Sequence, residues 1–125
     1  MNLLLDTHVL LWALTDDERL RPEARSVISD GRNVVHVSAV SAWEITIKRA
    51  LGKLRAPDDL AEQLGNAGFE GLDVTVEHAL AVGALPDLHR DPFDRLLIAQ
   101  ARVASLTLVT NDAQVQRYDV ALLAT

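Results

Sequence analysis

The sequence predicts one α/β domain, with a central parallel sheet of four to five strands and helices on both faces. Short runs of consecutive apolar residues, such as Leu3-Leu4-Leu5, alternate along the chain with segments of helical periodicity. Strands without apolar-polar alternation are typical of a sheet covered on both faces. A chain of 125 residues, 49% of them hydrophobic, can form one sizeable core, so we expect residues 1–125 to be a single domain.

The first half of the chain is predicted to contain two strands and four helices. Asp6 or Thr7 and then Ser38 can cap helices that follow directly on strands, Pro22 suits a first helical turn, and Gly52 suits the position just past a helix end. The predicted elements are a strand Leu3–Leu5, a helix His8–Leu14, a helix from Pro22 to near Gly31, a strand Val34–Val37, a helix from Ser38 to about Leu51, and a helix from Pro57 to the Gly65–Gly68 stretch.

The second half is predicted to complete the sheet. Its elements are a strand Leu72–Val74, a helical segment Val76–Leu85, a loop over residues 86–90, a helix Pro92–Ala104, a strand Leu106–Val109 and an edge strand Val120–Leu123. Right-handed crossovers then bring the carboxyl ends of the strands and the amino ends of the helices to one edge of the sheet. The crevice at that edge is the expected ligand site.

Composition excludes several classes of function. The chain has no cysteine, which rules out disulfides, thiolate zinc sites and cysteine nucleophiles and fits a reducing cytoplasm. No stretch approaches the roughly 18 apolar residues of a membrane span and no basic leader is present, so we expect a soluble, unprocessed, cytoplasmic protein. A net charge of −6 disfavours non-specific nucleic-acid binding, but only −2 remains outside four candidate metal-binding acids.

Three of these four acids lie at the predicted edge. Asp6 follows the first strand, Asp112 follows the fourth, and Asp94 stands in the first turn of a helix. Each has an ordinary local explanation, because acids cap helices and favour the positive end of the helix dipole. Asp91 is better explained as the cap of the helix beginning at Pro92, so Asp94 ranks above Asp91 as a ligand.

Glu44 is the fourth acid and lies within a predicted amphipathic helix. At roughly 100° per residue, an apolar stripe falls within an arc of about 80°, and Glu44 lies only about 20° outside it. The stripe consists of Val40, Trp43, Ile47, Leu51 and Leu54. A carboxylate beside a buried stripe needs a partner, and either Lys48 one turn later or a metal ion can supply it.

Taken together, the four acids favour a metal site. Like charges gathered at one edge repel one another unless cations or protons compensate them, and oxygen ligands are those that hard divalent cations prefer. Other chemistries have less support: the four histidines show no paired zinc spacing, and no nucleophile elbow or phosphate-binding glycine loop is present.

Four segments of the chain contain the candidate acids. They are Leu3-Leu4-Leu5-Asp6-Thr7-His8, Val37 to Ile45 with Gly52-Lys53-Leu54, His89-Arg90-Asp91-Pro92-Phe93-Asp94-Arg95 continuing to Ala101, and Leu108-Val109-Thr110-Asn111-Asp112. In this order and spacing, the segments resemble the PIN-domain ribonucleases, and among them the VapC-type toxins of bacterial toxin–antitoxin pairs. The resemblance spans nearly the whole chain.

The resemblance implies a PIN domain over residues 1–125 that cuts RNA with Mg²⁺ or Mn²⁺. By the same resemblance Asp6, Glu44, Asp94 and Asp112 are the catalytic, metal-binding cluster. One cation would activate water, and a second, if present, would stabilise the leaving oxygen. A cognate VapB-like antitoxin that inhibits the enzyme, and a homodimer, are the implied protein partners.

Further residues are expected around this cluster. Thr110 resembles the hydroxyl residue that the family often has beside its last acid, and Asp91 is an auxiliary position. Arg90 and Arg95 flank the site and can hold substrate phosphate, or equally can pair with nearby acids or complete a network at the helix start.

Three alternatives remain for comparison. A phosphoacceptor receiver domain lacks support because Asp6 is followed by Thr7-His8 and no lysine occurs beyond Lys53. A phosphatase with two acids flanking one residue is disfavoured because His8 occupies the second acid's place. The third is a catalytically silent PIN-fold module that binds RNA or protein, from which metal binding and acid substitutions would distinguish the enzyme.

Overall fold

Five strands and six α-helices make up the structure, a computed structural model that describes residues 1–125. The strands are β1 (Asn2–Leu5), β2 (Val34–Ser38), β3 (Glu70–Leu72), β4 (Thr107–Thr110) and β5 (Leu122–Ala124). The helices are α1 (Thr7–Leu14), α2 (Pro22–Ser29), α3 (Ala39–Ala50), α4 (Leu60–Asn66), α5 (Val76–Ala81) and α6 (Pro92–Val103), with 3₁₀ turns at Val82–Ala84 and Val115–Arg117. None of the helices combines the length and apolarity that crossing a bilayer requires.

All five strands are parallel, in the order β3-β2-β1-β4-β5, which confirms the predicted fold class. The chain builds outward from β1 to β2 and β3, then crosses back to add β4 and β5 on the other side. The strand order therefore reverses between β1 and β4. In a doubly wound sheet, the crevice at the carboxyl ends of such a strand pair is where ligands bind.

Helices cover both faces of the sheet. Leu3 and Leu5 point into a core shared with α1 and α2, while Leu4 points into a second core shared with α6. All three leucines are fully buried. This two-sided burial explains why β1 is apolar at every position after Asn2, as expected for the central strand of a parallel sheet.

Most element boundaries differ from the prediction by a residue or two, and four elements differ in ways that the packing explains. Strand β3 lies two residues earlier than expected because it pairs only with β2 and is too exposed to carry a clear apolar pattern. Strand β5 also pairs with one neighbour alone, and it spans Leu122–Ala124 rather than the predicted Val120–Leu123. Helix α4 begins at Leu60, after the turn that contains Asp58 and Asp59, and α5 passes into a 3₁₀ turn after Ala81.

The predicted apolar stripe of α3 is wrong at Trp43 and Leu51, which are 60% and 63% exposed, although its first residue, Val40, is buried. The buried positions of α3 are Val40, Ser41, Glu44 and Ile45. Helix α3 contacts both α1 and α6, so its inward face is rotated from the one that hydrophobicity alone indicated. Glu44 is therefore at the middle of the buried face of α3, and not at its border.

A buried polar side chain on α6 links three elements. Gln100 accepts a hydrogen bond from Ser38 Oγ at 2.6 Å, its amide nitrogen donates to the carbonyl oxygen of Asp73 at 3.3 Å, and that nitrogen lies 3.2 Å from His78 Nδ1. Gln100 is fully buried. It therefore holds α6 against the end of β2 and the segment before α5.

Gln100→Leu is expected to lower the free energy of unfolding by about 1–3 kcal/mol, because the Ser38 hydroxyl and the Asp73 carbonyl lose a buried partner while volume is nearly kept. Urea unfolding followed by circular dichroism measures this loss. The exposed Gln116→Leu variant serves as control and should stay within about 0.5 kcal/mol of wild type. Equal stability of the two variants would refute the bridging role of Gln100.

Candidate metal-binding and catalytic site

A cleft of about 560 Å³ opens at the carboxyl edge of the sheet, where the strand order reverses. The four acids predicted from the sequence all contribute to its lining, although they are separated by up to 106 positions in the chain. The lining residues are mostly polar or charged, and the acids among them are Asp6, Glu44, Asp91, Asp94 and Asp112. The parallel topology thus gathers these side chains as expected.

Asp6 is held at the end of β1 by its own helix and by the neighbouring strand. One carboxylate oxygen, Oδ1, accepts the backbone N–H of Val9 at 2.9 Å and so caps α1. The other, Oδ2, accepts the hydroxyl of Thr110 at 2.5 Å. Capping and membership of the acidic cluster are therefore compatible roles for Asp6.

Asp94 and Asp91 divide the start of α6 between them. Asp91 Oδ1 accepts the backbone N–H groups of Phe93 and Asp94 at 2.8 and 3.1 Å, so Asp91 is the helix cap, as predicted. The side chain of Asp94 points into the cleft, where Oδ2 lies 2.8 Å from His89 Nε2. Both residues line the cleft, but Asp94 is the one of this pair that lies with Asp112 around His89.

Asp112 follows β4 in a tight turn. Its backbone N–H donates to Thr110 Oγ1 at 3.0 Å, and its Oδ1 accepts the N–H of Gln114 at 2.8 Å. Oδ2 faces His89 Nε2 at 3.7 Å. Thr110 therefore touches two of the acids, because it accepts from the backbone of Asp112 and donates to the carboxylate of Asp6.

Glu44 has two protein partners within the core. Its Oε1 accepts the hydroxyl of Thr7 at 2.6 Å, and its Oε2 pairs with the ammonium group of Lys48 one turn later. Only 3% of Glu44 is exposed. Of the two partners considered from the sequence, the structure contains the Lys48 ion pair, and Thr7 adds a hydrogen bond that the helix pattern did not indicate.

Burial and mutual repulsion perturb the ionisation of the cluster. Burial raises the pKa of Asp94 to about 7; the hydrogen bond with His89 opposes this increase, and the charges of Asp91, Asp6 and Glu44 add to it. Burial also raises the pKa of Asp6, against the opposing hydrogen bonds from Thr110 and Val9. Asp94 and Asp6 are therefore harder to ionise in the folded, metal-free protein than in water.

The raised pKa of Asp94 predicts that metal-free protein loses stability between pH 5 and pH 7.5. A carboxyl with a folded-state pKa of about 7 stays protonated when folded but ionises at about 3.8 when unfolded, so its contribution is complete below pH 4 and is lost as the pH rises through 7. Urea unfolding in EDTA should show a decrease of about 2 kcal/mol over this interval.

Asp94→Asn is the matched control for this measurement because it removes the titrating group and keeps the shape of the side chain. Asp17, whose pKa is lowered to about 2 by its hydrogen bonds with Arg19, titrates well below the interval. The Asn variant should therefore lose the part of the pH dependence that comes from Asp94, and Asp6, whose pKa burial also raises, should account for the part that stays. The same slope in both proteins would show that Asp94 is not its source.

The two predicted substrate arginines do not line the cleft. Arg95 donates to the carbonyl oxygens of Pro86 at 3.0 Å and Val82 at 3.3 Å, and to the hydroxyl of Tyr118 at 3.0 Å. It thus completes a network at the start of α6, which was the alternative considered for it. Arg90 is exposed outside the cleft lining.

The arginine that does reach the cleft is Arg19. Its guanidinium lies 5.1 Å from the ring centre of Trp12 and pairs with Asp17 at 2.7 Å. His89 is a second cleft residue without an assigned role in the sequence analysis. Its position two residues before the helix cap Asp91 was the signal available for it.

The donors that meet in the cleft fit a divalent cation. Carboxylate oxygens predominate, one imidazole nitrogen is present, and no thiol occurs in the chain. His89, Asp94 and Asp112 each offer one ligand atom, and these three atoms lie within 4.8 Å of one another. Burial, together with the neighbouring acids, raises the pKa of Asp94, and a bound cation would favour its ionised form.

A parallel, doubly wound sheet with carboxylates gathered where its strand order reverses defines an α/β protein with an acidic site at the carboxyl edge of the sheet. The model of the PIN domain family matches residues 3–121 of this sequence. The chain belongs to the PIN domain family, as the resemblance of its motifs predicted.

Individual proteins are similar to this chain in part of the sequence or in fold. Ribonuclease VapC16 of Mycobacterium tuberculosis is 38% identical over 60 residues, a match that covers 45% of this chain and 43% of that protein. VapBC2 from Rickettsia felis, solved with a DNA fragment from its promoter, has a TM-score of 0.73 at 18% identity and covers 99% of this chain and 98% of that chain. A toxin–antitoxin complex from Klebsiella pneumoniae has a TM-score of 0.67 at 15% identity, covering 97% and 95%.

Proposed function

We propose that this chain is a divalent-cation-dependent endoribonuclease, a toxin that hydrolyses RNA phosphodiester bonds and that a cognate VapB-like antitoxin holds inactive. The observation that carries the proposal is the convergence of Asp6, Glu44, Asp94 and Asp112 in one cleft at the reversal of strand order. Membership of the PIN domain family and partial identity to a curated ribonuclease support it. Residues 1–125 act as one PIN unit.

The cation would be held by Asp94 and Asp112, whose oxygens are the least committed to hydrogen bonds within the protein. Mg²⁺ keeps several of its waters, so Asp6 and Glu44 can contribute through water rather than directly. When bound, Mg²⁺ or Mn²⁺ lowers the pKa of a coordinated water and neutralises the charge that develops on the phosphodiester.

Protein side chains do the positioning. Thr110 fixes the carboxylate of Asp6 and the backbone of Asp112, and Asp91 fixes the first turn of α6 from which Asp94 projects. With these groups held in advance, little reorganisation is needed when the RNA binds.

The cationic groups of the cleft would contact the RNA backbone. Lys48 and Arg19 both line the cleft, and Arg19 lies over the ring of Trp12. These two residues replace Arg90 and Arg95 as the proposed phosphate contacts. A net charge of −6 makes such local contacts necessary, since the molecule as a whole repels a polyanion.

An inhibitory partner and a homodimer are proposed with the activity. The structural neighbours include VapBC2 from Rickettsia felis and a toxin–antitoxin complex, which supports a VapB-like antitoxin as the partner. Stoichiometric inhibition of cleavage by that antitoxin is the expected behaviour, and light scattering of the purified chain tests the dimer.

Cleavage of a mixed pool of cellular RNA tests the proposed function. Purified protein should cut in Mg²⁺ or Mn²⁺ and not in EDTA, and sequencing of the fragment ends would identify the RNA target. The antitoxin complex should not cut in either metal. Binding of RNA without cutting in either metal would instead identify a catalytically silent PIN-fold module.

A further inference from the structure

A histidine takes part in the acidic cluster of this chain. His89 Nε2 lies 2.8 Å from Asp94 Oδ2 and 3.7 Å from Asp112 Oδ2, and all three ligand atoms lie within 4.8 Å of one another. Ligands about 2.1 Å from an ion are about 3 Å apart when they occupy neighbouring positions around it. The three atoms are therefore spaced like ligands that can share one ion after small side-chain movements.

The remaining acids are already engaged by other groups. Both oxygens of Asp6 accept hydrogen bonds, from Val9 N–H and the Thr110 hydroxyl. Both oxygens of Glu44 are likewise paired, with Thr7 and Lys48. Among the four predicted acids, the carboxylate oxygens with the fewest protein partners therefore belong to Asp94 and Asp112, beside His89.

The backbone holds His89 in place. Its carbonyl oxygen accepts a hydrogen bond from Arg95 Nη1 at 3.4 Å, and the same guanidinium nitrogen binds the carbonyl oxygen of Pro86 at 3.0 Å. Asp91, two residues later, caps α6. The loop that presents His89 is thus fixed at both ends, and Arg95 is a positioning residue for it.

We propose that His89 is a nitrogen ligand of the catalytic cation, together with Asp94 and Asp112, and that this mixed set binds Mn²⁺ more tightly than Mg²⁺. The inference rests on the divalent cation of the proposed function and adds the identity of a ligand and a metal preference. Imidazole favours first-row transition metals over Mg²⁺, which prefers oxygen alone.

Electron spin-echo spectroscopy of Mn²⁺ bound to the protein without RNA tests the ligand directly. Wild type should show ¹⁴N modulation from a coordinated imidazole, and labelling with ¹⁵N-histidine should replace it, a result that needs no substitution and no activity. His8→Ala, which removes the other histidine lining the cleft, should keep the signal. His89→Ala should lose it.

Affinity provides the second measurement. His89→Ala should weaken Mn²⁺ binding by more than the roughly 10–100-fold typical of an outer-shell residue. The substitution should weaken Mg²⁺ binding less, so that the variant prefers Mn²⁺ over Mg²⁺ by a smaller factor than wild type does. Circular dichroism must first establish that the variant is folded. If the variant is unfolded, the spin-echo measurement on wild type labelled with ¹⁵N-histidine tests the inference alone.

Two results would overturn the inference. If wild type binds Mn²⁺ without nitrogen modulation, His89 is only a hydrogen-bond partner of Asp94. If wild type binds no Mn²⁺ at all, the proposed role of His89 as a metal ligand is excluded. If Mn²⁺ binds without nitrogen modulation but RNA is cut in metal and not in EDTA, only the ligand assignment fails and the proposed function is retained. Cleavage unaffected by EDTA would instead reject metal dependence itself.

Discussion

Asp94→Asn is expected to lower RNA cleavage by on the order of 10³-fold or more and to stabilise the metal-free protein at pH 7.5. Cation catalysis supplies several kcal/mol, and about 4 kcal/mol corresponds to a 10³-fold change in rate. Stability should rise because the variant removes a carboxyl whose pKa burial raises to about 7, so its ionised form is unfavourable when folded. Single-turnover cleavage and urea unfolding in EDTA measure the two effects.

Asp87→Asn is the matched control for this experiment. Asp87 lies on the exposed loop before α6 and outside the cleft, and the substitution changes the net charge by the same amount. Cleavage and stability of the control should stay close to those of wild type. An Asp94→Asn protein that retains activity, or that fails to fold, would favour a structural role for the acid.

Lys48→Met is expected to lower the free energy of unfolding of the metal-free protein by about 2–3 kcal/mol. Removing one partner of a buried ion pair leaves the other charge uncompensated, which costs about 3–5 kcal/mol when both partners are buried. The side chain of Lys48 is 29% exposed, so a smaller loss is appropriate. Urea unfolding in EDTA provides the measurement.

The double variant Glu44→Gln/Lys48→Met separates the ion pair from the packing of Lys48 against Phe93, whose ring centre lies 5.7 Å from the ammonium nitrogen. If the loss comes from an unpaired carboxylate, neutralising Glu44 should restore most of the stability. If the double variant instead loses as much stability as the two single variants added together, the pair is not coupled and Lys48 acts through packing alone.

The sequence predicted those features that local chemistry determines. The apolar run Leu3-Leu4-Leu5 indicated a strand buried on both faces, and Asp91-Pro92 indicated the start of α6 to the residue. The order of the elements then required the acids to meet at one edge, because parallel strands end together. This much follows from patterns only a few residues long.

Features that depend on packing between distant segments were not predictable in the same way. The apolar pattern of α3 predicted that Trp43 points inward, but contacts with α1 and α6 place Glu44 inward instead. Trp43 packs edge-on against Phe93, with 5.4 Å between the ring centres. Arg95 binds the loop carbonyls of Val82 and Pro86, whose path no short pattern specifies.

Joint measurement of cation occupancy and cleavage tests the central claim most directly. Mn²⁺ would be titrated into wild type and Asp94→Asn, with bound metal quantified by electron paramagnetic resonance and cleavage of one target RNA timed in the same samples. We predict that the wild-type rate rises and saturates with bound Mn²⁺, and that Asp94→Asn loses both together. Cleavage that persists in EDTA, or a rate independent of occupancy, would contradict the account.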